Sequence, residues 1–304
     1  MSTGRAPRVA FYTYPEWAFG SIHSALCKEL YKRGIFANII DWNHNFTPEE
    51  RRDLGEIYDI FVTVPGNSVT MLNESFHIPP ERIIAVAHGR YDIEYGLSQN
   101  NQFDRFKKFA GVSPDLAQHS KFLGINRSMN IVRNGIHFDY FCQTPSQKLS
   151  TLGYGGAFKH HDYGQTQDIK RGYLAQEIAD KLALNFAPAP AQTYLTMPQY
   201  YNSVDAVIVT STQESCALPL MECAASGRLP ISTPVGVARD FPSFPGILLP
   251  LNERKLVKAA IDSLCQLRFN DEQFQNKCKE AQEYARYNYD WSIVIDDWVA
   301  LFSS

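Results

Sequence analysis

The chain has 304 residues, 44% of them hydrophobic and 20% charged, with a formal net charge of -3. That length accommodates two ordinary domains or one large α/β domain, and the charge leaves no basic excess with which to hold a nucleic-acid backbone. Six cysteines stand far apart without a C-x-x-C pair, which argues against a zinc site or a disulfide framework and fits a reducing cytoplasm.

Residues 8–14 read as a buried first strand stopped by Pro15. Gly20 then opens a helical pattern with Ile22, Ala25, Leu26 and Leu30 on one face and Gly34 closing it. A glycine at a strand-to-helix turn lets backbone approach a ligand, but a lone glycine is not a G-x-G-x-x-G fingerprint and does not support a dinucleotide site. Further strands are expected at 37–41, 60–64 and 82–87, with a solvated charged stretch at 48–53 between the first two. His88 and Arg90 sit at the carboxyl end of the 82–87 strand. His88 is a functional candidate there, whereas Arg90 reads as an exposed arginine. A strand at 109–113 leads into a helix over 114–123, with Ser113 as N-cap and Gly124 just past its end. Residues 131–136 end the first half at a turn, Asn134-Gly135. Strands and helices in alternation argue for parallel sheets covered on both faces.

The polar segment 142–150 reads as a linker. Beyond it, the glycine-rich run 152–158, with Gly156, permits close approach of backbone to a phosphate. Lys159-His160-His161-Asp162 lacks a third ligand at recognisable spacing, so no metal site is expected. Lys170 and Arg171, before Gly172, are candidate phosphate cations. Residues 178–184 read as helical. The strand 206–209 feeds TSTQESCALPLMECAASGRLPISTPVG, residues 210–236. Pro219 suits the start of a helix and Gly227 the position past its end. Glu214 lies in the loop at the strand's carboxyl end, where open α/β sheets bind ligands. Glu222 is expected in the helix's first turn, where a carboxylate complements the dipole. The amides of Cys216, Ala217 and Leu218 would suit an anion. Residues 248–250, a helix from 261 and a closing helix from 289 complete the chain.

Glu214 and Glu222, with Leu218-Pro219 between them and ASGRLP after them, resemble the E-x7-E signature of family 4 retaining glycosyltransferases. The wider string, from Tyr200-Tyr201-Asn202-Ser203-Val204-Asp205-Ala206 to Thr233-Pro234-Val235-Gly236, carries the resemblance more specifically. So does VSPDLAQHSKFLGINRSMNIVRNGIHFDYF, residues 112–141, in which Arg133 stands where the family has proline. The resemblance implies an α/β GT-B fold, with two Rossmann-like domains facing across a cleft. It places an acceptor-side domain at 1–145, a nucleotide-sugar-binding domain at 146–288 and a helix crossing back at 289–304.

By that resemblance Glu214 and His88 serve the donor sugar, Glu222 the ribose hydroxyls, and Arg171 or Lys170 the diphosphate. Gly20, Gly156 and the amides of Cys216, Ala217 and Leu218 complete the donor site. The family has Gly-Gly where this chain has Phe19-Gly20, and the segment 186–190 is compressed relative to it. The implied activity is retaining transfer of a hexosyl group from a UDP- or GDP-sugar to a hydroxyl, without a cofactor or resident metal. The acceptor is unassigned: a glycan, lipid-linked or small-molecule hydroxyl all fit. A non-catalytic nucleotide-sugar-binding partner, a sugar-nucleotide epimerase or a phosphorylase are the alternatives. No signal-peptide pattern or run of about 18 apolar residues is present, so a cytoplasmic protein is expected, with peripheral contact at the inner face of a membrane left open.

Overall fold

The computed structural model describes residues 5–99, 102–156, 168–189, 194–240 and 243–303. Lys159-His160-His161-Asp162 and Pro190 lie outside them. The chain divides into two compact units, residues 1–135 with 291–304, and residues 136–290.

The first unit is built on a six-stranded sheet of β1 (Val9–Thr13), β2 (Ala37–Asp41), β3 (Ile60–Thr63), β4 (Ile83–Ala87), β5 (Lys108–Gly111) and β6 (Asn130–Ile131), in the order β2-β1-β3-β4-β5-β6. Every pairing is parallel. Parallel strands need crossovers, and the crossovers cover both faces, so β1 and β4 are buried at every position. The sixth strand is two residues long, shorter than the expected run, because Val132 makes one further bond to Gly111 and the chain then turns away at the buried Asn134.

The charged stretch at 48–53 belongs to the helix Pro48–Ile57, which has no buried residue. Its start is fixed by a capping box in which Glu50 and Thr47 satisfy each other's backbone amides. The helix Trp291–Ser303 packs into this first unit. There Trp298 Nε1 donates to the Arg133 carbonyl at 2.9 Å, and Arg133 pairs with Asp297 at 2.7 Å. A side chain at Gly135 would meet Trp291 at 2.7 Å, so the turn before the division must be glycine.

The second unit holds a five-stranded parallel sheet of β7 (Thr151–Tyr154), β8 (Asn185–Pro188), β9 (Ala206–Val209), β10 (Leu229–Ser232) and β11 (Ile247–Leu248), in the order β11-β10-β9-β7-β8. The compressed segment at 186 is therefore a strand, on an edge, where its terminal proline costs no central ladder bond. The division between units falls after Gly135, earlier than position 145, and the polar segment 142–150 is packed onto the second unit. Ser146 N donates to Gly227 O at 3.0 Å, and the Asp205 carboxylate receives the Ser150 and Thr151 amides at 2.9 and 2.8 Å. The buried Arg228 adds a bond from Nη1 to the Thr144 carbonyl at 2.8 Å. Among the described residues no helix is long and apolar enough to cross a membrane.

Candidate functional site

Strand order locates the crevice of each unit. In the second sheet the chain passes from β7 outward to β8 and then returns to the other side of β7 for β9, so the topology switches between β7 and β9. Loops leaving the carboxyl ends of those two strands diverge, and ligands bind in the gap. The residues after β7 and after β9 meet there.

After β7, Gly155 and Gly156 serve different ends. A Cβ on Gly155 would lie 2.5 Å from Pro219 Cβ, so this glycine lets the helix Leu218–Ala225 lie against the strand end. Gly156 has φ 131°, and none of the described residues lies within 4 Å of where a Cβ would be.

Lys170 is held by its own backbone. The Tyr154 and Thr210 hydroxyls donate to its carbonyl at 3.0 and 2.9 Å, and its amide donates to Asp168. From that anchor the ammonium pairs with Glu214 Oε1, which also accepts the Ser211 hydroxyl at 2.7 Å. Both side chains are about a fifth exposed, at 21% and 18%.

Arg171 does not join them. Its φ of 52° turns it the other way, into the protein, where it is 3% exposed. Nε donates to the Thr210 carbonyl at 2.7 Å and Nη1 to that of Leu251 at 2.8 Å. Its guanidinium is a strut between the end of β9 and the loop after β11. Of the two adjacent cations only Lys170 stands at the crevice.

The loop 214–217 is clamped from behind. Gly236 and Val237 donate to the carbonyls of Glu214 and Cys216 at 3.1 and 3.0 Å, and a Cβ at Gly236 would meet Cys216 O at 2.7 Å. Ala217 takes a left-handed conformation with φ 60°, uncommon for a residue with a Cβ, and so sets the angle at which Leu218 starts the helix. Cys216, Ala217 and Leu218 thus bring the positive end of the helix to the same gap as Lys170. Gly227, with φ 67°, ends the helix as expected.

Glu222 lies beyond the first turn, because the helix begins at Leu218, so a dipole role does not explain it. It is 6% exposed and accepts the Tyr201 hydroxyl at 2.7 Å. Burial raises its pKa to about 7, against the Tyr201 hydrogen bond, which favours the charged form. An acid raised in the folded state binds more protons there than when unfolded, so its ionisation removes stability as pH rises from its ordinary 4.5 to about 7. We expect urea midpoints measured from pH 5 to 8 to fall less steeply in Glu222→Gln than in wild type. Equal slopes would show that Glu222 does not titrate in this window.

In the first unit the switch lies between β1 and β3, and His88 follows β4, the next strand over. Its ring stands edge-on to His23 at 5.3 Å, and His23 stacks on Phe11 at 5.0 Å. Burial lowers the His88 pKa to about 4, so the imidazole is neutral at pH 7. Its amide and that of Gly89 both donate to Asp92 Oδ2, at 2.7 and 2.9 Å. Arg90 is not a free exposed arginine; it makes a two-pronged pair with the buried Asp115 at 2.9 and 2.6 Å.

Gly20 lies inside the helix Trp17–Lys32 rather than opening it. A Cβ there would sit 1.6 Å from the Pro15 carbonyl oxygen, so the local turn alone demands glycine at this position. Sequence reasoning missed Tyr201, Ser211, Tyr154 and Thr210. The only signal for Tyr201 was its place in the YYNSVDA string.

No family model matches the sequence, and no curated protein matches it. Solved structures do. HepE from Anabaena, crystallised with UDP and glucose, superposes with TM-score 0.70 at 10% identity, over 99% of this chain and 100% of that one. This is the GT-B fold. The sucrose-phosphate synthase of Thermosynechococcus elongatus gives 0.68 at 12% identity, over 97% of the GT-B chain described here and 98% of its own. The catalytic domain of starch synthase IV from Arabidopsis thaliana, bound to ADP and acarbose, gives 0.69 at 11% identity, over 99% of each. At such identities the likeness is one of fold.

Proposed function

We propose that the protein is a retaining glycosyltransferase that uses a nucleoside diphosphate sugar. The observation that carries this reading is the Lys170–Glu214–Ser211 cluster at the β7/β9 switch point, beside the start of the helix Leu218–Ala225. Solved proteins of the same fold hold UDP with glucose, or ADP, which supports the class of donor.

Breaking a glycosyl–phosphate bond leaves negative charge on the departing diphosphate. A cation and helix amides already in place stabilise that charge without reorganising when it forms. Lys170 would exchange part of its bond to Glu214 for a phosphate oxygen. Glu214, relieved of it, would accept hydrogen bonds from the sugar hydroxyls and face the positive charge that develops on the ring. Arg171 would act from behind by holding the end of β9 in place. Glu222 would accept the ribose hydroxyls. With one oxygen already on Tyr201, that contact rests mainly on Oε1. His88, neutral, would act at the carboxyl end of β4.

Glu222→Ala should weaken nucleoside diphosphate binding by roughly 10–100-fold, the loss expected for hydrogen bonds to a carboxylate. Calorimetry with UDP, GDP and ADP, with and without magnesium, tests this, and an unchanged affinity would remove Glu222 from the donor site. Tight binding without any release of free nucleotide from nucleotide sugars would favour the non-catalytic partner over the transferase.

A further inference from the structure

The first unit carries a groove of about 710 Å³ along the helix Pro48–Ile57, away from every residue assigned above. Its lining includes Arg51, Arg52, His77 and Arg82, against one acid, Glu74. That excess of positive charge stands in a chain whose net charge is -3. Glu74 does not neutralise it, because that carboxylate pairs with Arg105 at 2.9 Å. Arg82 is occupied, donating to the carbonyls of Gly55, Tyr58 and Asp59.

Arg51 and Arg52 are not occupied in that way. The Arg51 guanidinium lies over the Phe76 ring at 5.6 Å, and its Nε is buried with no hydrogen-bond partner among the described residues. No carboxylate among them pairs with it. Arg52 has only Glu49 and Asp53 at 3.9 and 4.0 Å, the outer limit of an ion pair. His77 holds φ 56°, a conformation unusual for a histidine, on the opposite wall. A guanidinium fixed on an aromatic face without a carboxylate is a cation set in place at an ordering cost already met by the fold.

We propose that this groove binds a phosphate group, with Arg51 and Arg52 as its charged contacts and His77 at its rim. A carboxylate is satisfied by a single guanidinium fork, whereas a phosphate presents three oxygens and a charge near two, matching two guanidinia and an imidazole. The phosphate belongs either to a soluble ester or to a lipid headgroup. The site does not depend on the transferase reading, since it would hold phosphate whether or not a sugar is transferred.

The test is calorimetric titration of the full chain with inorganic phosphate, in a Lys170→Ala background that silences the donor site. Co-sedimentation with phosphatidic acid in phosphatidylcholine vesicles forms the second arm. Arg51→Gln and Arg52→Gln should each weaken phosphate binding roughly tenfold, and Lys121→Gln, an exposed lysine on the helix Pro114–Phe122 outside the groove lining, should leave it unchanged. Arg52 is largely exposed, at 65%, so its substitution leaves the fold intact and keeps the test sound if Arg51→Gln proves unstable. Vesicle capture lost in the double variant would assign the phosphate to lipid, and binding of inorganic phosphate alone would assign it to a soluble ester. Absence of binding in both arms, or equal binding by the Arg51→Gln/Arg52→Gln variant, would overturn the proposal.

Discussion

Lys170→Ala is expected to lower turnover of the nucleotide sugar donor by roughly 10²–10³-fold, the usual consequence of removing one preplaced donor to a developing negative charge. The fold should survive. The Lys170 side chain lies at the crevice, and the bonds that hold its segment, from Tyr154 and Thr210, go to its backbone carbonyl. Glu214 keeps the Ser211 hydroxyl when the ammonium is gone. The division between kcat and KM is informative. If Lys170 acts on the leaving group in the transition state, kcat falls with kcat/KM; if it binds the diphosphate equally in the ground and transition states, KM rises alone. Lys170→Arg should recover part of the loss by restoring charge. Wild-type turnover in Lys170→Ala would sink the assignment.

Arg171→Leu should do the reverse, destabilising the protein by about 1–3 kcal/mol by taking the donor from one buried and one part-buried carbonyl. Those carbonyls belong to Thr210 and Leu251, and the arginine that serves them is 3% exposed. Leucine fills much of the space but donates nothing, and the left-handed backbone at this position suits a branched apolar residue no better than arginine. Thermal melting of the whole chain should therefore fall by several degrees. Donor affinity of the folded fraction should stay within a few-fold of wild type. A fully stable variant that had lost the nucleotide would show that the guanidinium turns outward to the phosphate. Together the two variants separate adjacent residues, one cation at the crevice and one that holds the scaffold.

Much of this architecture is legible in local sequence, because local sterics decide it. Apolar runs of four to six residues followed by helical periodicity mark nearly every strand of both sheets, since a parallel sheet must be apolar on both faces. Pro114, Gly124 and Gly227 mark helix ends because such positions depend on their immediate neighbours, whereas Ser113 stands at the N-cap position without a side-chain cap bond. The position of Glu214 at a strand's carboxyl end follows from the same alternation.

The roles within the site were not local. Lys170 and Arg171 are adjacent and chemically alike, so nothing in their spacing says which one faces the crevice. That choice is made by carbonyls 39 and 80 positions away, which capture Arg171. Gly20 has the sequence setting of a ligand-facing glycine, but it is the Pro15 carbonyl that requires it. Glu222 has the sequence setting of a dipole partner, but the helix starts at Leu218 and Tyr201, 21 positions earlier, donates to its carboxylate. The sequence alone determined the alternation of strands and helices and the order of the strands along the chain, because those depend on the pattern of apolar residues. Only the tertiary structure decided which polar side chains are held inside and which are left for a ligand, because that depends on partners supplied by distant segments.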